Sequence, residues 1–297
     1  MLIDEYRNYL LDVEGKSLGT IKQYYTSIKM FIQYMQENEF PITRKNMLKV
    51  KLSNIYGFMN SLAKNESNGT KRNKISALKS YFEYCKTIDV IKHNIIIDIK
   101  KQPKKVKRIA KCFTLDECKR LVDNVSGRNK ERDKMIIILF LNTGMRLTEL
   151  VNLNIFCIDN ENLNIIGKGD NERVVHLDSS VITLLKEYIE KVRPESSKES
   201  EALFLSERLT RISVRTVQIA VNNAISNAGL NVEGKNDMSV HALRHTFATL
   251  QFQNGVSIRT LQKILGHEDI STTQIYVQVA DNQMIEAAKT NPLLSIF

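Results

Sequence analysis

With four cysteines among 297 residues, no Cys-x-x-Cys pair and no histidine at metal-site intervals, this chain carries neither a disulfide framework nor a zinc site in its pattern. Cys85, Cys112, Cys118 and Cys157 read instead as reduced, structural thiols of a cytosolic protein. No apolar run approaches the roughly 18 residues of a membrane helix. The opening Met-Leu-Ile-Asp-Glu-Tyr-Arg lacks a secretory pattern, so a soluble, cytoplasmic protein without a membrane partner is expected. The phosphate loop Gly-x-x-x-x-Gly-Lys-Ser/Thr is missing, and so are clustered carboxylates and internal repeats. No cofactor, metal or nucleotide is therefore expected.

What is abundant is positive charge. The formal net charge is +10 on an otherwise ordinary composition, 42% apolar and 26% charged. It is unevenly spread: residues 1–112 hold 22 Lys+Arg against 10 Asp+Glu, whereas residues 113–297 hold 21 against 23. General solubility would explain a basic balance, but not its concentration in the first third. A polyanion tracked by that part explains both.

The hydrophobic period predicts a mainly α protein in which residues 1–98 are helical, 99–112 form a basic linker and 113–297 a larger α-rich domain. Ser17 can cap a helix to about Gln36, with Ile21, Tyr24, Tyr25, Ile28, Phe31, Ile32 and Met35 on one stripe. A second helix is expected from about Arg44 to Leu62. A third, from about Thr70 to Thr87, has Ile75, Leu78, Tyr81, Phe82 and Cys85 on its inner face. Its opening carries Lys71, Arg72 and Lys74, which suit either a solvated face or a helix start against phosphates. Pro103 and the run Lys104, Lys105, Lys107, Arg108 argue for an extended connector, a solvated hinge or a strap across a duplex backbone. Beyond it, Thr114-Leu-Asp-Glu117 is a capping-box start, and Asp133–Asn142 reads as a buried helix. The period then changes: 155–158, 163–166 and 173–177 suit a small three-stranded antiparallel sheet. Helices are expected near 180–192, 213–228, 241–253, 258–265 and 271–277.

Six polar residues stand out in the second domain. Arg146 in Thr143-Gly-Met-Arg-Leu-Thr-Glu-Leu150 has Glu149 three residues on, the spacing of an ordinary helix ion pair or of a guanidinium held ready for phosphate. Lys168 lies between two glycines, as in many tight turns. His241 and Arg244 share a helix face, while His245 points elsewhere and reads as packing or as support for the residues beside it. His267 follows a helix end, and Tyr276 sits where a core aromatic would be unremarkable. Each piece alone has a structural explanation.

Their order and spacing do not. The set Thr-Gly-x-Arg-x-x-Glu, Gly-Lys-Gly, His-x-x-Arg, Leu-Gly-His and a tyrosine nine residues past the last histidine resembles the tyrosine recombinase (phage-integrase-like) family, most closely its Xer-type branch. The resemblance spans essentially the whole chain. Asn171, where relatives often carry lysine, and Glu268-Asp269 are small departures that remove no catalytic position.

The resemblance implies a DNA strand-exchange enzyme in which Tyr276 attacks a phosphodiester, leaving a 3′-phosphotyrosyl link and a free 5′-hydroxyl. A phenol of pKa ~10 must lose its proton on attack, for which His241 is the candidate base. Arg146 and Arg244, helped by His267, would neutralise charge gathering on the non-bridging oxygens. Lys168 is the general acid by analogy. Because the ester preserves the bond's free energy, neither ATP nor a metal is called for. Family likeness further implies double-stranded DNA as partner and four protomers on two sites, with or without a paired recombinase. Within that reading the compact length suits resolution of chromosome or plasmid dimers or a simple mobile-element enzyme; integration and excision of a mobile element, or a non-catalytic DNA-binding regulator, are the alternatives. The apolar end, 292–297, suits packing on its own domain or, as the preferred reading, docking on a neighbouring protomer.

Overall fold

The computed structural model describes residues 2–62, 66–99, 112–167, 172–195, 201–230 and 239–266. The chain divides into two compact units, Met1–Arg108 and Ile109–Phe297, each with its own core.

The N-terminal unit is built on four helices: α1 (Leu2–Asp12), α2 (Leu18–Glu37), α3 (Leu52–Ser61) and α4 (Asn68–Thr87). The Ser17 hydroxyl accepts from the Thr20 N–H at 3.3 Å, and Ser67 does the same for Thr70 at 3.2 Å, so serine caps start both long helices. The α4 cap lies early enough to draw Asn68 and Gly69 into the helix, which the polar stretch before Thr70 had argued against. The core is aromatic: Tyr6, Phe31, Phe58, Tyr81 and Phe82 are fully buried. Tyr6 meets Tyr81 and Phe31 meets Phe58 edge to face, with centroids 5.1 and 5.4 Å apart. The expected helix from Arg44 to Leu62 is interrupted. Met47–Lys49 forms a 3-10 turn and Val50 and Lys51 are extended, because Asn54 accepts from the Lys51 N–H at 2.9 Å and starts α3 afresh.

The C-terminal unit begins with α5 (Leu115–Asp123), whose capping box is complete: the Glu117 N–H donates to the Thr114 hydroxyl at 3.2 Å, and the Thr114 N–H to the Glu117 carboxylate at 2.9 Å. Helix α6 (Lys130–Thr143) buries Met135, Ile136, Ile137, Leu139 and Phe140, almost all round its surface, and is the spine of this core. Gly144 ends it at φ +59°, and a side chain there would also overlap the Phe247 ring and Leu265. Next come α7 (Leu147–Asn152) and the strands β1 (Ile158–Asp159), β2 (Asn162–Ile166) and β3 (Glu172–His176), antiparallel in that order. The first strand is shorter than expected because Ile155–Cys157 coils into a 3-10 turn. Register pairs Leu163 with Val175 and Ile165 with Arg173. Helix α8 (Ser179–Glu187) runs on into a π-helical turn, Tyr188–Val192; α9 (Val214–Asn227), α10 (Val240–Gln253) and α11 (Ile258–Leu265) follow. Helix α10 packs on α6, and the buried Thr246 hydroxyl accepts from the Phe113 N–H at 2.8 Å, fastening the entry to this unit. The helix expected at 271–277 lies outside the described residues. Among the described residues no helix is long and apolar enough to cross a membrane.

Candidate functional site

The end of α11 organises the site. A helix leaves its last carbonyls without intrahelical partners. Here three arginines from three different elements take three successive ones. Arg173 of β3 donates Nε–H to the Ile264 carbonyl at 2.8 Å, Arg244 of α10 donates from Nη2 to Leu265 at 2.8 Å, and Arg146 donates from Nη2 to Gly266 at 2.9 Å. Cations at a helix C-terminus are also favoured by its partial negative charge. Gly266 itself caps the helix at φ +60°.

Each arginine reaches this point for a local reason. Arg146 is the residue before α7, set there by the Gly144 turn. Its own N–H donates to Glu149 Oε2 at 2.7 Å and its Nη1 to Oε1 at 2.8 Å, so Glu149 holds both the start of the helix and the guanidinium. Arg244 is 6% exposed, and its Nη1 also donates to the Gly144 carbonyl at 2.6 Å, tying α10 to the end of α6. Burial alone would push the Glu149 carboxyl up. Hydrogen bonds and charge from Arg173, with the Arg146 N–H and guanidinium, instead hold it at about 2, firmly ionised.

The structure thus brings Arg146, Glu149 and Arg244 together as the sequence order suggests. Among the described residues Arg146 and Arg173 share a single carboxylate, Glu149, and Arg244 grips the carbonyl between theirs, so the cluster is cationic. Arg146, at 37% side-chain exposure, is its solvent-facing member. A planar fork on such a surface can take two oxygens of one phosphate. His241 is exposed on the first turn of α10. His245 is half-buried. Burial pushes its pKa below the ordinary value, and the neighbouring His241 and Arg244 push the same way. Lys168, His267 and Tyr276, like the linker residues Lys104, Lys105, Lys107 and Arg108 and the apolar end 292–297, lie outside the described residues.

Two sequence expectations need correction or addition. Lys74, grouped with Lys71 and Arg72 as a phosphate contact, is 6% exposed. Its ammonium pairs with Glu66 and donates to Met30 Sδ at 3.2 Å, so it points into the unit and not at solvent. It neighbours Ile75 and lies four residues from Leu78, at the edge of the stripe that packs inward. Lys71 and Arg72 are half-buried at the same end of α4. The addition is Arg173, read from sequence only as part of a strand. Its signal was alternation: Arg173 and Val175 lie on the same sheet face as their register partners, buried Ile165 and Leu163, where charge is unexpected.

The phage integrase family profile matches residues 111–283, and that of the phage integrase N-terminal SAM-like domain matches residues 3–87. Tyrosine recombinase XerC of Caldanaerobacter subterraneus is 38% identical over 98% of this chain and 87% of its own length. Among solved structures, the XerH site-specific recombinase bound to a palindromic difH substrate after cleavage superposes with a TM-score of 0.77, at 23% identity over 97% of this chain and 84% of that one. A lambda integrase tetramer bound to a Holliday junction gives 0.71 at 19% identity, over 90% and 76%.

Proposed function

The chain belongs to the phage integrase family, and from that premise we propose that it resolves dimers of circular chromosomes or plasmids by exchanging strands at two copies of a specific DNA site. It is a site-specific tyrosine recombinase, a DNA strand-exchange enzyme. In the proposed reaction the Tyr276 oxygen bonds to phosphorus, its proton passes to His241, and the bond to the 5′-oxygen breaks as Lys168 protonates it. The 3′-phosphotyrosyl ester is then attacked by the 5′-hydroxyl of the partner strand, which restores a phosphodiester and frees the tyrosine. One ester replaces another at each step, so no nucleotide hydrolysis is needed to drive it.

The observation that carries this reading is the cationic cluster at the end of α11. Arg146 and Arg244, 98 residues apart in sequence, converge on adjacent carbonyls at the end of that helix, leaving net positive charge among the described residues to meet the negative charge that a phosphoryl group gathers in the transition state. Four protomers on two duplexes, in the cytoplasm where the DNA lies, complete the proposal; relatives of the same fold include an integrase solved as a tetramer on a Holliday junction.

The test is covalent trapping. Wild-type protein is incubated with nicked suicide duplexes made from genomic fragments, and the protein-linked DNA is sequenced. A Tyr276-dependent adduct at one recurring site, absent in Tyr276→Phe with duplex binding retained, is expected. An adduct that persists in Tyr276→Phe would overturn the assignment of the nucleophile. A recurring site at the ends of a mobile element would overturn dimer resolution in favour of integration.

A further inference from the structure

Resting on the recombinase reading above, we propose that Arg173 is a positioning residue for strand cleavage: it braces the β2–β3 hairpin, the start of α7 and the end of α11 so that Arg146 offers the scissile phosphate a fixed guanidinium edge.

The geometry makes Arg173 a joint. Its Nη1 and Nη2 donate to Glu149 Oε1 and Oε2 at 3.0 and 2.6 Å, a two-pronged fork, while Nε takes the Ile264 carbonyl at 2.8 Å. Its side chain is 11% exposed and that of Glu149 is 3% exposed. Desolvating such a pair is expensive, and it is tolerated where every donor and acceptor is matched. Close packing adds to this: a side chain on Gly266 would come 3.3 Å from Arg173 Nη1 and 3.4 Å from its Cδ, so the end of α11 rests directly against the guanidinium.

The competition for Glu149 explains why this matters for chemistry. Each Glu149 oxygen is shared, Oε1 between Arg146 Nη1 and Arg173 Nη1, Oε2 between the Arg146 N–H and Arg173 Nη2. With Arg173 in place, Arg146 spans Glu149 and the Gly266 carbonyl and its orientation is fixed from two sides. Without Arg173 the carboxylate is free to turn and take Arg146 in a fork of its own, drawing the guanidinium inward. Arg173 also anchors β3 five residues after Lys168, which belongs to the β2–β3 connection, and grips α11 just before His267. One side chain therefore ties together the segments that bear three of the proposed catalytic groups. Lysine at this place would keep the charge and lose the fork.

The experiment uses the full chain and a suicide duplex carrying the site trapped by wild-type protein. Duplex Kd and the single-turnover rate of adduct formation at saturating DNA are measured for wild type, Arg173→Lys, Arg173→Gln, Glu149→Gln and the double variant Arg173→Gln/Glu149→Gln. The rate is expected to fall ~100-fold in each Arg173 variant, the size of effect that a misplacement of about 1 Å produces, with Kd within about threefold. Little further loss is expected in the double variant relative to Glu149→Gln, because both act through one carboxylate. Adduct formation within about threefold of wild type, a rate loss that is fully additive with Glu149→Gln, or a rate loss mirrored in Kd would each overturn the proposal. So would loss of the folded state in both Arg173 variants, followed by circular dichroism, since Arg173 would then be a residue of stability. Failure of the wild-type protein to form any adduct would refute the recombinase reading itself.

Discussion

In the N-terminal unit the buried ammonium of Lys74 meets one carboxylate, Glu66, and their charges cancel. In the C-terminal unit Arg146 and Arg173 share one carboxylate among the described residues, Glu149, and together with Arg244 they also donate to the backbone carbonyls of Gly144, Ile264, Leu265 and Gly266. In both, the buried cation finds partners. Among the described residues, only the second gathers more cations than carboxylates. A fold seeking stability alone would balance its buried ions, as the first does, or use apolar residues of similar size. Excess cation held rigidly by carbonyl dipoles is what an anion-binding site requires, and it costs no reorganisation when the anion arrives.

The comparison breaks most sharply at Arg244. Arg244→Ala removes charge from the cluster and leaves the Gly144 and Leu265 carbonyls without these donors, at about 1–3 kcal/mol for each buried group. Adduct formation is expected to fall by roughly 10³-fold, the scale on which loss of one transition-state donor is felt. Unfolding of the C-terminal unit in urea should shift to lower concentration. In the N-terminal unit the matched change, Lys74→Met with Glu66→Gln, should leave adduct formation within about threefold. Equal losses from the two changes would show that the excess of cations has no special role.

Acid should separate the two units next. Glu149 is held at about 2 in the fold, against roughly 4.3 for an unperturbed glutamate. A depressed carboxylate contributes stability that is present above the unfolded value and lost as pH falls through the folded one. The window is therefore about pH 4.3 down to about 2, and the contribution is on the order of 3 kcal/mol. Urea midpoints measured from pH 6 to pH 2 should fall for the wild-type C-terminal unit. In Glu149→Gln the midpoint should start lower and show a shallower dependence on pH. An unchanged pH slope in that variant would mean that the carboxylate is not held by its arginines as the geometry requires.

Much of this was legible before any coordinates, for reasons that can be named. Ser17 and the Thr114–Glu117 pair are local devices, complete within four residues, so α2 and α5 start where the sequence says they do. The grouping of Arg146 with Arg244 was legible through its resemblance to a family, not through periodicity. What stayed hidden depends on which side of an element faces inward. Lys74 reads as a member of a basic helix start until α2 packs against α4 and brings Met30 to it, and Glu66 closes the pair from the adjoining turn. Arg173 reads as an ordinary strand residue until register sets it opposite Ile165 and tertiary contact brings Glu149 to it. The break before α3 was hidden because one side chain, Asn54, redirects the backbone against a continuous apolar pattern.

The smallest effect expected is the one that tests the correction at Lys74. If α4 meets a phosphate backbone through its first turns, Lys71 and Arg72 keep part of their surface in solvent there, whereas Lys74 is buried against Glu66 inside the unit. Duplex affinity measured between 50 and 200 mM salt should then lose about 0.9 from its log–log slope for each of Lys71→Gln and Arg72→Gln. Lys74→Met with Glu66→Gln should leave the slope unchanged, since a cation that never reached the phosphates releases no counterions when it is removed. The outcome that counts against this account is a slope lowered by the buried pair as much as by Lys71→Gln. That would mean the ammonium leaves Glu66 on meeting DNA, and the N-terminal unit would then hold its cation in reserve as the C-terminal unit does.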